Sequence, residues 1–237
     1  MKKLIKDLFL KYNFNLTDFQ INQFEKYFSF LVEENQKYNL TAITEEKEVI
    51  IKHFIDSVLP EKEIPQNASV IDVGTGAGFP GVPLKIVRPD IKLTLLDSLQ
   101  KRINFLNQLL ELLEIKNVIT VHSRAEDYTK EKREKFDIAT SRAVASIPTL
   151  SEYLIPYVKV GGKVLMYKGN KVHEEIEEGK TAIKTLGCNI EKIKEYSLDE
   201  VESKRFILIL NKTKPTDKKY PRPKNLPKTK PICNLNK

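Results

Sequence analysis

Residues 70–81 read VIDVGTGAGFPG: an apolar run ends at Asp72, and the chain passes through Gly74, Gly76 and Gly78 before a helix can start at Pro80. Glycines suit such a place because the backbone must turn sharply and approach a ligand closely, which a Cβ would obstruct. This is the loop of a nucleotide-type cofactor. Further polar residues follow apolar runs downstream: Asp97 after KLTLL, Arg124-Ala125-Glu126-Asp127 after NVITVHS, Ser141-Arg142-Ala143 after FDIAT, and Lys168-Gly169 after KVLMY. In an open parallel sheet the ligand lies at the carboxyl ends of the strands, so these are the residues to read for chemistry. Asp97, 23 residues beyond Gly74, can accept both hydrogen bonds of a ribose diol.

Those groups need elements to carry them, and the chain divides into three zones. Residues 1–60 read as a helical cap. Phe24, Tyr27, Phe28 and Leu31 recur with helical spacing, Thr17 is a candidate N-cap, and Thr44 with Lys47 and Val49 marks a further helix start. Residues 61–211 alternate strand and helix. Strands are predicted at SVIDV, KLTLLD, NVITVHS, FDIATS and KVLMYKG, with helices over 80–87, 98–113, near Lys130, near Pro148 and over 172–186. Two last strands, near 190–196 and 205–210, have no helix between them. The predicted fold class is therefore α/β: a mostly parallel, Rossmann-like sheet with a terminal antiparallel strand.

Residues 212–237 form the third zone, a basic, proline-rich tail. The chain has 237 residues and a net charge of +8, and the tail holds nine of its forty Lys and Arg against one acid, with five prolines. The remainder is charge-balanced. Such a segment is expected to form no regular helix, and to lie extended along a polyanion or to act only as a solubilising appendage. No apolar run approaches the ~18 residues of a membrane span, so a cytoplasmic protein is expected. Cys188 and Cys233 are the only cysteines and lack metal-ligand spacing, so no metal is expected.

The glycine loop itself reads two ways. From Gly76 it matches the G-x-G-x-x-G of dinucleotide binders; from Asp72 it is D-x-G-x-G-x-G, the loop of class I S-adenosylmethionine (SAM) methyltransferases. The wider sequence resembles one family. Asn39-Leu-Thr-Ala-Ile43, His53-x-x-Asp56-Ser57, the loop with Phe79-Pro-Gly-Val-Pro83-Leu84, Leu96-Asp97-Ser98 with Lys101-Arg102, Arg124-Ala-Glu126, Ser141-Arg-Ala-Val-Ala145, Lys168-Gly169 and Tyr220-Pro-Arg222 are similar to the bacterial ribosomal small-subunit methyltransferase G, or glucose-inhibited division protein B, family. The tail departs from that family in having no glycine shortly after Pro221-Arg222. The resemblance implies methyl transfer from SAM, leaving S-adenosylhomocysteine, to N7 of a guanine in 16S ribosomal RNA within the small subunit or its precursor, by a monomer. It also implies SAM contacts at Gly74, Phe79, Ala125, Glu126 and Arg142.

Each residue takes a role on this reading. Asp72 receives the SAM ammonium group, the loop from Gly74 through Gly76 and Gly78 packs along the methionyl part, Asp97 takes the ribose, and Ala125 and Glu126 border the adenine. Ser141-Arg142-Ala143 stands where amine methylases carry an Asn/Asp-Pro-Pro-aromatic device, and neither cysteine is placed for attack on a pyrimidine. Guanine N7 needs neither, because its lone pair already lies in the ring plane. Arg142 is a positioning group with three candidate partners: the SAM carboxylate, guanine O6 or a phosphate. His53 and Asp56 are expected to hydrogen-bond to each other and shape the cap rather than move a proton. Lys101, Arg102, Lys168, Arg205, Tyr220 and Arg222 are the candidate RNA contacts. A small-molecule methyltransferase would share the loop without needing the tail; a non-catalytic RNA-binding protein would explain the tail without Asp97 and Glu126.

Overall fold

The computed structural model describes residues 1–142, 145–201 and 203–233. Ala143 and Val144 of the 141–145 stretch, and the last four residues of the tail, lie outside the described residues.

The first zone is helical because its apolar residues share one face. α1 (Lys2–Lys11) buries Ile5, Leu8 and Phe9; α2 (Asp18–Tyr38) buries Phe24, Tyr27 and Leu31. Thr17 caps α2 in a reciprocal capping box with Gln20, which satisfies backbone N–H groups that the first turn leaves without partners. The next helix starts one residue later than Thr44 predicts: the Glu45 carboxylate caps α3 (Glu46–Val49) by accepting from Lys47 and Glu48. α3 runs on through a π-helical stretch, Ile50–Ile55, into α4 (Asp56–Val58).

From residue 69 the alternation produces a seven-stranded sheet of order β3-β2-β1-β4-β5-β7-β6. Its strands are β1 (Ser69–Val73), β2 (Lys92–Asp97), β3 (Val118–His122), β4 (Phe136–Arg142), β5 (Val158–Lys168), β6 (Cys188–Leu198) and β7 (Ser203–Lys212). β1 to β5 are parallel, joined through α5 (Gly81–Val87), α6 (Gln100–Leu112), α7 (Ala125–Lys132) and α8 (Ile147–Leu154); α9 (Val172–Thr185) leads from β5 to β6. The antiparallel strand is β7, last in sequence. It lies between β5 and β6 rather than at the sheet's rim, because the β6–β7 hairpin folds so that its second strand meets β5.

Side chains alternate across the strands, so each strand feeds two cores. On one face Val70, Leu93, Leu95, Ile138 and Leu165 pack with the cap helices, α5 and α6. On the other, Ile71, Leu96, Ala139, Val164 and Met166 pack with α8 and α9. Fully burying each of the Val, Leu, Ile and Met side chains stabilises the fold by about 1.5–3 kcal/mol before chain entropy is counted.

The tail departs from the extended form expected of it. Lys212 has a fully buried side chain whose ammonium donates to Glu134 Oε1 (3.1 Å), the Ile155 carbonyl (3.0 Å) and Thr216 Oγ1 (2.7 Å). Arg222 forks onto the carboxylate of Glu152, which is fully buried on α8, with Nε and Nη2 contacts of 2.9 and 2.7 Å. A one-turn helix, α10 (Leu226–Thr229), follows; Pro227 is accommodated in its first turn, where an N–H has no helical acceptor in any case.

Candidate active site

Strand register brings the polar strand ends to one edge of the sheet. Asp72 is level with Leu95 on β2 and Thr140 on β4, and Arg142 is level with Tyr167 on β5. β1 lies where the order reverses between β2 and β4, the position at which doubly wound sheets open a crevice. A cleft of about 1010 Å³ lies there. It is floored by Gly74, Gly76 and Phe79 and walled by Asp97, Arg142 and His53. A second chamber of about 380 Å³ shares Gly74, Asp97 and Ser98 with it and extends to Ala125 and Glu126.

Two of the loop glycines show how differently they serve. Gly76 has φ of +61°, and a Cβ built on it would meet nothing within 4 Å, so its bare backbone faces open space in the cleft. Gly78, φ +98°, is a packing residue: a Cβ there would stand 2.7 Å from the Tyr27 hydroxyl and 2.8 Å from Val82 Cγ2. The Tyr27 hydroxyl is that close because it donates to the Ala77 carbonyl (2.6 Å). The cap thus grips the loop directly, through an aromatic column running Phe9–Phe24–Phe54–Tyr27–Phe79 with centroid separations of 4.7, 5.0, 5.1 and 5.4 Å.

Asp72 does not face the cleft. It is fully buried beneath the loop, where Oδ2 accepts from Thr75 Oγ1 (2.7 Å) and the Gly81 amide (2.9 Å) while Oδ1 has no partner among the described residues. The expected ammonium contact gives way to a role in tying the strand to the far end of the loop. Burial pushes its pKa up to about 7, against the pull of the Thr75 and Gly81 hydrogen bonds. Asp97 lies at the cleft wall, 2% exposed; Oδ2 accepts from the Gly76 amide (2.9 Å) and Oδ1 from the Leu99 amide (3.0 Å), and Arg102 Nη1 approaches Oδ2 at 3.2 Å. Leu99 is the N-cap residue of α6, so the helix starts two residues later than the spacing predicts. One carboxylate therefore fixes the glycine loop and the start of α6 together.

Arg142 forms the seam between cap and sheet. Nη1 donates to Asp56 Oδ2 (2.8 Å) and the Lys52 carbonyl (3.1 Å), Nη2 lies 3.2 Å from His53 Nδ1, and the guanidinium sits 4.9 Å over the Phe79 ring. Arg205 Nε reaches the other Asp56 oxygen at 3.2 Å. His53 is stacked on Phe79 (4.6 Å), and its Nε2 meets Thr41 Oγ1 at 2.8 Å. Since Arg142 can only donate, Nδ1 must accept, and the imidazole proton sits on Nε2 facing Thr41. Burial, reinforced by the Arg142 charge, lowers the His53 pKa to about 3. The expected His53–Asp56 hydrogen bond is replaced by a common partner, Arg142. Ile50–Ile55 is π-wound, and its wider turn takes residues three apart off the shared face.

The candidate RNA contacts separate into several environments. Lys101 is exposed and donates to the Tyr38 carbonyl (3.1 Å), and Arg102 faces Asp97. Lys168 is buried at the cleft, bonded to the Ala145 carbonyl and Glu175 Oε2, each at 2.7 Å, so it braces the 145–147 segment rather than presenting a free cation. Arg205 lines the cleft through Asp56. Tyr220 packs on the second core, and its carbonyl accepts from Arg133. Arg222 is committed to Glu152 and the Lys230 carbonyl (2.7 Å). Sequence reasoning gave no role of their own to Thr41, Lys52 and Tyr167, all at the cleft. Asn39-Leu-Thr was the available signal for Thr41; Tyr167 reads only as a strand residue.

Comparison with known proteins agrees with this geometry. TYW2 of M. jannaschii, solved in complex with AdoMet, superposes with a TM-score of 0.53 at 13% identity over 71% of this chain and 77% of that one. The ribosomal protein L11 methylase of Lactobacillus delbrueckii subsp. bulgaricus gives 0.53 at 14% identity, over 69% and 79%. Sheet order, glycine loop and strand-end acid place the protein among the class I, Rossmann-like SAM-dependent methyltransferases. The family model described as rRNA small subunit methyltransferase G matches residues 20–205. Proteins named ribosomal RNA small subunit methyltransferase G from Lactobacillus helveticus and Oceanobacillus iheyensis are 48% and 50% identical, over 94% and 92% of this chain and 95% and 93% of theirs. The chain belongs to the rRNA small subunit methyltransferase G family and is a methyltransferase. Among the described residues no group of ligands is arranged for a metal ion, and no helix is long and apolar enough to cross a membrane.

Proposed function

We propose that the protein transfers a methyl group from SAM to N7 of a guanine in 16S ribosomal RNA, with the cleft beside the glycine loop as the reaction site. The observation that carries this is the bare Gly76 backbone opening onto a cleft whose wall holds the Asp97 carboxylate, continuous with a chamber bordered by Ala125 and Glu126. A glycine cradle, a strand-end acid and a second acid in an adjoining chamber fit the methionyl, ribose and adenine parts of SAM. Bound there, SAM supplies an electrophilic methyl group on a sulfonium centre and leaves as S-adenosylhomocysteine.

The residues of this chain then act by placement. Gly74 and Gly76 let the donor lie against the backbone, Asp97 holds the ribose diol, and Glu126 with the Ala125 backbone borders the adenine. Arg142 and Phe79, locked together with His53, set the wall against which an acceptor base aligns. Two N–H groups of Arg142, Nε and one on Nη2, have no acceptor among the described residues and remain for the acceptor or the donor carboxylate. No proton need be abstracted, because N7 attacks through a lone pair it already has. His53, uncharged and with both ring nitrogens engaged, is accordingly a brace. Proximity and alignment of this kind can lower a barrier by roughly 7–11 kcal/mol.

Labelled SAM with small-subunit rRNA, offered naked and as subunits from cells lacking this protein, tests the reading. Label recovered as 7-methylguanosine is the expected result; unlabelled RNA from both substrates, with SAM still bound, would overturn the acceptor and make a small-molecule substrate the leading reading.

A further inference from the structure

The smaller chamber has a wall that comes from the tail. Asn225, the N-cap of α10, lines it together with Tyr153, Ala125 and Glu126. Asn225 is in the left-handed conformation (φ 59°, ψ 17°), as is Lys224 before it (φ 57°). Asparagine is one of the few residues with a side chain that enters this region readily. Its Oδ1 accepts from the Tyr153 hydroxyl (3.3 Å), which orients the carboxamide, while Nδ2 donates to no atom among the described residues. The segment is anchored from behind on both sides. Arg222 is forked onto buried Glu152, and the Pro227 carbonyl accepts from Thr149 Oγ1 (2.9 Å).

We propose that Asn225 is an adenine-recognition residue of the donor site, its Nδ2 donating to a ring nitrogen of the base. The proposal rests on the SAM reading above and extends it to a segment expected to dock RNA. An adenine edge alternates a donor, the exocyclic amine, with ring-nitrogen acceptors. The Glu126 carboxylate, on a residue 8% exposed, offers an acceptor for the amine but no donor for the ring nitrogen. Arg124, the nearby cation, has a side chain 63% exposed and lies 3.9 Å from Glu126, directed to that carboxylate and solvent. Asn225 supplies a neutral side-chain donor beside the backbone amides of Ala125 and Glu126, from a position fixed before the ligand arrives, so little side-chain ordering opposes binding.

Asn225→Gly removes the carboxamide while leaving a residue at ease in the left-handed region. Asn225→Asp keeps the acceptor for Tyr153 but carries no N–H. Calorimetric titration of the full chain with S-adenosylhomocysteine and, separately, with adenosine reads the effect. Both variants are expected to weaken both ligands by about five- to tenfold, the scale of one lost hydrogen bond. The factor should be the same for the two ligands, because they share only the nucleoside. Lys228→Ala, exposed on the same helix, should bind S-adenosylhomocysteine and adenosine as the wild type does, whatever it does to RNA, and rRNA affinity should be unchanged in Asn225→Gly. Wild-type nucleoside affinity in both folded variants would overturn the proposal; so would lost rRNA binding with S-adenosylhomocysteine affinity intact, which would make the segment an RNA dock. A wild-type protein that bound neither ligand would remove the donor-site reading itself.

Discussion

Among single residues, Asp72 and Asp97 are both carboxylates at strand ends beside the glycine loop, yet their surroundings give them different work. Asp72 is buried, with one oxygen unpartnered among the described residues and its pKa pushed from 3.8 to about 7. Between those values the folded state holds a proton that the unfolded chain has released, so stability falls as pH rises through that window and levels off above about 7. Asp72→Asn can still accept from Thr75 and Gly81 through its carbonyl oxygen and has no charge to desolvate. Its melting temperature should therefore vary less across the same pH range and should exceed the wild type's once the pH passes about 7; a wild-type slope in thermal melts would contradict this. Asp97, by contrast, keeps the loop and α6 in register from the cleft wall. Asp97→Ala is expected to weaken SAM binding at least about tenfold, since it loses the proposed ribose acceptor and loosens Gly76 together. Calorimetry with SAM checks it, and unchanged affinity would confine the carboxylate to its loop and cap bonds.

At the scale of elements, the junction between the helical cap and the sheet decides whether the cleft exists. Three cap groups converge on Arg142: the Lys52 carbonyl, His53 and Asp56. The π-wound turn presents those groups to one guanidinium, and Arg205 closes the far side of Asp56. Arg142→Ala takes one of two cations from buried Asp56, which keeps Arg205, so its cost should fall below the about 3–5 kcal/mol of stranding a buried carboxylate outright. Denaturant unfolding should register that loss, and methyl transfer should fall with it. Arg142→Lys should recover part of the stability but little activity, because an ammonium cannot reproduce the fork. The second contact between cap and loop is Tyr27 under Gly78. Gly78→Ala forces a methyl group to 2.7 Å from the tyrosine hydroxyl at a φ of +98°. It is expected to lower the melting temperature more than Tyr27→Phe, which removes only one hydrogen bond worth about 1 kcal/mol.

Across the whole molecule, the excess positive charge and the folded tail are two aspects of one segment. Lys212 and Arg222 are consumed in holding the tail to Glu134 and Glu152, whereas Lys214, Lys218, Lys219, Lys224, Lys228 and Lys230 stay exposed. The proposed function makes these exposed lysines the tail's candidate contacts for RNA phosphates. Replacing Lys218, Lys219 and Lys224 with Gln should weaken rRNA binding with SAM affinity unchanged. The dependence on log salt should flatten by roughly 0.7–0.9 for each phosphate that is no longer neutralised. Filter-binding titrations across salt concentrations measure that slope. Arg222→Ala should instead release the tail and expose it to limited proteolysis, because Glu152 loses its counter-charge.

The sequence by itself determined what depends on local pattern. The strand SVIDV, the glycine turn, the Thr17 cap and the alternation that builds a parallel sheet are all short-range, since propensity, periodicity and turn chemistry act within a few residues. Strand-end chemistry followed from the same pattern, so Gly76, Asp97 and Glu126 could be named in advance, with Phe79 added by the family resemblance; Gly76, Phe79 and Asp97 line the cleft, and Glu126 lines the chamber beside it. Only the tertiary structure decided what each charged side chain meets. That Asp72 lies under the loop, that His53 and Asp56 share Arg142 instead of each other, that Lys168 braces the 145–147 segment and that a proline-rich basic tail is anchored by Arg222 on a buried glutamate all depend on partners from 7 to 89 positions away. A cation has the same composition whether it faces solvent or a buried carboxylate; which one it finds is set by packing, and packing is a property of the folded chain.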